Sequence, residues 1–165
     1  MSRLTFGTAF LGLVLSGAIF GFFYAWVCST MWGLDAADPR VAIAAMQAMN
    51  ASVRNAIFAP AFFGTGPVLL LVGVFAFRSQ NRSAAKWFVS GGLLYTLGGM
   101  VLTMVVNVPM NEALGALIVP EDIASAREIW SDYSDRWQVF NQIRTLVSGV
   151  VLILVGIGIF ELARK

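Results

Sequence analysis

The chain predicts an all-α fold, a bundle of four transmembrane helices, and three observations predict it. Of its 165 residues 58% are hydrophobic and 12% charged, and the mean hydropathy is +0.77, far from the balance of a soluble domain. The charges are segregated: none falls between Arg3 and Asp35, Arg54 and Arg78, Lys86 and Glu112, or Arg144 and Glu161. A span needs about 20 apolar residues, and hydrocarbon offers the backbone no partner, so each uncharged run must be helical. The expected layout is one domain, 1–165, with spans near 5–32, 55–77, 87–108 and 138–163. A short amphipathic helix follows the first span, and the N-terminal half of the last helix extends out of the bundle.

The first run, about Thr5 to Trp32, is too long for a signal-peptide core, and no small-x-small pattern closes it. Trp26 and Val27 before Cys28 do not resemble a lipoprotein cleavage box, so the segment is expected to stay in the mature protein. Gly12-x-x-x-Ser16 and Gly17-x-x-x-Gly21 let a neighbouring backbone approach closely, which places this helix inside the bundle; a homo-oligomer through the glycine-rich faces is the competing use. Tyr24, Trp26 and Trp32 belong to the outer membrane boundary. Cys28, the single cysteine, forms no intrachain disulfide and reads as a small buried hydrophobe. The chain has no histidine, so the usual ligands of a zinc, haem or non-haem iron site are missing.

Asp38-Pro39 reads as an N-cap followed by proline at the first helical position. Val41, Ala45, Met46, Met49 and Val53 then recur at helical spacing, as in an amphipathic helix lying over the bundle mouth. Gln47, Asn50 and Arg54 share one stripe of it; they are either a solvated face or, for Asn50 and Arg54, part of a binding site. The second span contains Pro60, Gly64, Gly66 and Pro67, and a proline inside a span bends it and opens space near the outer third of the bundle. The third passes Gly91-Gly92 and Gly98-Gly99 and reaches Asn107-Val108-Pro109-Met110-Asn111-Glu112. Proline disfavours helical geometry at Val108, so the span should break there, gathering two amides and a carboxylate at its outer end. Pro120-Glu121-Asp122 opens the last helix with acids where its dipole favours them.

With four spans, Arg3, Arg78, Arg82, Lys86, Arg164 and Lys165 share one side with the single acid Glu161. Eight acids lie on the other side, so the positive-inside rule puts both termini in the cytoplasm, with a bacterial inner membrane as the expected location. A net charge of +2 is too small to suggest nucleic acid, and the basic excess sits where anionic membrane lipid is expected.

The stretch entering the last span carries the chemistry. At 100° per residue Trp130, Tyr133, Trp137, Asn141 and Arg144 fall within an arc of about 80°, with Glu128, Asp132, Asp135 and Arg136 mostly facing away. Only 16 residues separate Arg144 from Glu161, so Arg144 lies near or below the outer boundary, where it either snorkels or points into a cavity. Depth favours the cavity, with Glu112, Asn107 and Asn111 as the expected partners. The aromatic stripe alone fits an interfacial belt and a ligand cage equally well. Flat aromatic walls with amides and a guanidinium at one end suit a planar, partly anionic aromatic or lipophilic ligand.

Asn107-Val108-Pro109-Met110-Asn111, then Trp130-x-x-Tyr133-x-x-x-Trp137-x-x-x-Asn141-x-x-Arg144, resembles the anthrone oxygenase-like family of small four-helix membrane proteins. The resemblance implies oxidation of an anthrone-type polycyclic phenol to the quinone by molecular oxygen, without an evident metal or flavin. In that scheme Glu112 is the base, with Tyr133 a weaker one. Arg144, Asn141 and Asn107 steady the oxyanion, Trp130 and Trp137 stack on the rings, and Asn111, Arg54 and Asn50 complete the substrate site. The alternative is a non-enzymatic membrane protein that binds a quinone, a lipid or a partner subunit through the same pocket. A transporter ranks third, because no internal repeat is detectable.

Overall fold

The computed structural model describes residues 3–164, which among them form five helices and no strand. These are α1 (Arg3–Asp35), α2 (Pro39–Ser52), α3 (Phe58–Arg78), α4 (Arg82–Gly115) and α5 (Ile123–Ala163). All but α2 are long and apolar enough to cross a membrane, so this is an integral membrane protein. Lys165, counted above on the inner side, lies outside the described residues.

The half of the bundle nearer the two termini, called the inner half, is closed by small residues. A Cβ on Gly12 would stand 2.9 Å from Leu69, one on Gly73 2.6 Å from Val89, and one on Gly158 2.8 Å from the Phe88 ring. Ile19, Leu69, Val72, Phe88, Val151 and Val155 are buried around these approaches. Of the two small-residue pairs on α1, Gly12 and Ser16 are buried, whereas nothing lies within 4 Å of a Cβ on Gly17 or Gly21. At the inner turn Asn81 accepts from the Ala84 amide and donates to the Glu161 carbonyl, tying the start of α4 to the end of α5.

The outer half is built differently. Asp38 caps α2, accepting from the Arg40 amide at 2.9 Å, with Pro39 at the first helical position. Ala42, Ile43 and Met46 form its buried face; Val41, expected there, is 59% exposed, because the buried stripe is rotated by one residue. That face packs on the outer part of α5 and the end of α4, joining Met31, Leu114, Ala126, Trp130, Tyr133 and Trp137 in a second core. The projecting half of α5 is therefore covered. Gln47 donates to the Leu114 and Leu117 carbonyls and closes the end of α4.

Two expectations are corrected here. The third span does not break at Val108, which is helical (φ −63°, ψ −50°); α4 instead widens into π-helical turns over Thr96–Val101 and Thr103–Asn107 and continues to Gly115. A wide turn takes one extra residue and leaves room for Pro109, which has no N–H to place. α1 widens likewise over Trp26–Thr30, and Cys28 within that turn is exposed rather than buried. In α3 the Asn55 carboxamide oxygen takes the Ile57 and Phe58 amides, Pro60 falls in the first turn, and Pro67 alone lies in the interior. Nearby, the Tyr95 hydroxyl of α4 donates to the Phe62 carbonyl at 2.7 Å.

Candidate functional site

Arg144 of α5 is buried, with 4% of its surface exposed. Its Nη1 donates to Thr103 Oγ1 at 3.2 Å and its Nη2 to Asn141 Oδ1 at 3.0 Å. The guanidinium carbon lies 4.6 Å from the Phe23 ring centre and 5.3 Å from that of Trp137, so the cation is held between two aromatic faces. Asn141 is fixed in turn by donating to the Phe23 carbonyl at 3.1 Å. Among the described residues no carboxylate pairs with Arg144, and its Nε has no hydrogen-bond partner. The charge is thus desolvated and balanced only by neutral groups.

This group forms one end of a cavity of about 430 Å³ between α1, the end of α2, α3, α4 and α5. Its walls are mainly apolar and include the aromatic rings of Phe22, Phe23 and Trp26 of α1, Phe58, Phe62 and Phe63 of α3, and Trp137 of α5, and Trp26 meets Trp137 at 5.1 Å between ring centres. Its polar lining is Asn50, Arg54, Asn55, Thr103, Asn111, Asn141 and Arg144. The volume and the small set of convergent polar groups are those of a small-molecule site.

Of the ten residues singled out in the sequence, Asn50, Arg54, Asn111, Trp137, Asn141 and Arg144 line this cavity. The other four do not. Glu112 stands at the outer rim, held by Arg54 at 3.1 Å in a pair whose side chains are 59% and 60% exposed, so it is not the partner of Arg144. Tyr133 is buried behind the lining, donating to Asn111 Oδ1 at 2.8 Å and accepting from Asn50 Nδ2 at 3.3 Å. Asn111 Oδ1 also accepts from the Trp137 indole at 3.0 Å, so this amide, expected to bind Arg144, serves the aromatic residues instead. Trp130 lies two turns farther out than Trp137, packed under α2, with its indole donating to Asp35 at 3.0 Å. Asn107 is fully buried, and neither amide atom has a hydrogen-bond partner among the described residues.

Several residues of this region were not legible in the sequence. Asp35 accepts from Trp130, Ser134 and Gln138 and pins the end of α1 to α5, although in sequence it marks only the end of an uncharged run. Phe23 and Thr103 flank Arg144 from other helices; no local pattern distinguishes them from their neighbours.

A family model for anthrone oxygenases matches residues 51–154, more than half of the chain, spanning α3, α4 and most of α5. The chain belongs to the anthrone oxygenase family. No curated protein and no solved structure matches it. The family match contains Arg54, Thr103, Asn111, Trp137, Asn141 and Arg144, and so most of the polar lining of the cavity. The wall supplied to this anthrone oxygenase family cavity by Phe22, Phe23 and Trp26 lies outside the matched residues. Among the described residues no group of three or more histidine, cysteine, aspartate or glutamate side chains is placed to hold a metal ion.

Proposed function

We propose that this protein is a membrane-embedded, cofactor-independent oxygenase that converts a planar anthrone or related phenolic polycycle to its quinone with O2. The observation that carries the reading is the buried guanidinium of Arg144, unpaired with any described carboxylate, at the end of an aromatic cavity. A cation so placed lowers the energy of an anion delocalised over flat rings. The ring system stacks on Trp137, and its carbonyl oxygen takes hydrogen bonds from Arg144 and Asn141. The acidic methylene then loses its proton, which leaves through water at the mouth to Glu112, and the charge collects on the oxygen beside Arg144. The resulting enolate transfers an electron to O2, and the two radicals combine into a carbon–oxygen bond. Protonation gives a hydroperoxide, whose remaining C–H proton and hydroxide leave as water. One anthrone and one O2 thus yield one quinone and one H2O.

The basic residues of the inner loop and termini support an orientation with both termini in the cytoplasm and the cavity facing outward, and a bacterial inner membrane as the location is part of the same proposal. One observation favours a second reading, a quinone- or lipid-binding protein: the cavity lining includes no carboxylate. Oxygen uptake by the purified protein in lipid nanodiscs, with 1,8-dihydroxyanthrone, separates the two. The oxygenase takes up O2 in a one-to-one ratio with quinone, releases no peroxide, and loses this activity in Arg144→Ala and Asn141→Ala. Uptake by folded variants as fast as that of the parent leaves only the binding reading.

A further inference from the structure

The geometry points to a second opening of this cavity, between α1 and α3, through which an apolar planar ligand arrives from the bilayer, with Phe22 and Phe58 as its gate. The inference rests on the main cavity being a binding site for such a ligand. A second cavity of about 470 Å³ lies between α1, the end of α2 and the start of α3. Six residues, Phe22, Trp26, Met49, Val53, Asn55 and Phe58, line both cavities, so one layer of side chains separates them.

The opening follows from how α1 and α3 diverge. At Gly12 the two helices are as close as side chains allow, a Cβ there falling 2.9 Å from Leu69. One turn farther out, a Cβ on Gly64 would be 3.7 Å from Leu15, an ordinary contact. Beyond that, Ala18 and Ala61 face the gap with small side chains, and the rim ends at Ile57, which is 91% exposed.

The partition itself is movable. The Phe22 and Phe58 rings meet at 4.7 Å between centres, and both are half-buried, whereas their neighbours Phe23 and Phe62 are buried. Both rings pack against the main core from its partly exposed side, where a side chain changes rotamer more readily than inside it. The water-facing side of the main cavity has the opposite character, with Asn50 and Arg54 in its lining and Arg54 tied to Glu112. A polycycle dissolved in the membrane meets an apolar doorway on one side and charged, hydrated groups on the other, and only the first admits it without desolvating polar atoms.

The test uses proteoliposomes and two probes, 1,8-dihydroxyanthraquinone in the bilayer and water-soluble anthraquinone-2-sulfonate, each followed by quenching of indole fluorescence. Ala18→Phe and Ala61→Phe fill the doorway; they should slow association and dissociation of the membrane-dissolved probe about tenfold with its equilibrium affinity unchanged, and leave the sulfonate rates unaltered. Phe22→Ala, which thins the partition, should speed both rates of the first probe severalfold. Unaltered rates in the filled variants, equal slowing of both probes, or no acceleration in Phe22→Ala overturns the lateral route alone. If neither probe quenches the parent protein, the ligand-binding reading fails, and the route with it.

Discussion

The two halves of the bundle use similar residues to opposite ends. In the inner half glycines bring helices together until a Cβ on Gly12, Gly73 or Gly158 would overlap a neighbour, and the space is filled by Leu69, Phe88 and Val155. In the outer half a Cβ on Gly17 or Gly21 would meet nothing within 4 Å, α1 and α4 widen into π-helical turns, the interior holds Arg144, Asn107, Asn141 and the main cavity, and a second cavity lies beside it between α1 and α3. The inner half supplies stability, and the outer half holds polar groups at the expense of stability, as functional sites commonly do. Substitutions in the two halves should therefore separate stability from chemistry in opposite directions.

The largest effect is expected at Arg144. Replacing it with Met removes the cation but keeps a long apolar stem between Phe23 and Trp137, so oxygen uptake with an anthrone should fall at least about a hundredfold, the loss typical of one oxyanion donor. Thermal unfolding in detergent should show no loss and a gain of up to about 2 kcal/mol, because a desolvated charge without a carboxylate is costly to bury. A variant that loses activity because it unfolds would make Arg144 structural. Phe88→Ala is the mirror experiment. It empties the site filled by the ring against Gly158 and should lower stability by about 3 kcal/mol or more, with turnover per folded molecule within about twofold of the parent. A fall in turnover matching that of Arg144→Met would mean that the halves are coupled.

The fold was legible in the sequence because charge segregation and span length are one-dimensional properties. The cap at Asp38 was legible for the same reason, since it depends on its own helix, and the depth of Arg144 favoured the interior, where it lies, over snorkelling. The partners of Arg144 were not. Its depth was readable, but whether Glu112 reached it depended on the α2–α3 linker, where Arg54 takes that carboxylate first. The wide turns of α4 were also hidden: Pro109 announces an irregularity, and sequence alone does not say whether the chain breaks or takes an extra residue. Trp130 and Trp137 lie on one stripe, but α2 covers the outer indole, so a shared face did not mean a shared site.

Two smaller effects sharpen the contrast. Asn107 is buried in the outer half with both amide atoms unpartnered among the described residues, and it does not line the cavity. Asn107→Leu should therefore stabilise the protein by about 1–2 kcal/mol in thermal unfolding and leave oxygen uptake within about twofold; a large loss of uptake would restore it to the reacting groups. The smallest effect concerns α2, which roofs the site. Hydrogen bonds from the Arg40 side chain and amide hold the Asp38 carboxyl at about 2, below its ordinary 3.8. A carboxyl depressed on folding stabilises above its unfolded pKa, and that contribution is lost as pH falls through the folded one. Amide exchange over Pro39–Ser52 should thus be slow at neutral pH and accelerate, beyond its intrinsic pH dependence, only between about pH 4 and 2. Asp38→Ala should show the faster exchange at every pH, confined to that helix, while the inner half exchanges as before. If the loss of the cap instead spreads into α3 and α5, the roof is part of the bundle's stability, and the division between the two halves must be drawn farther out.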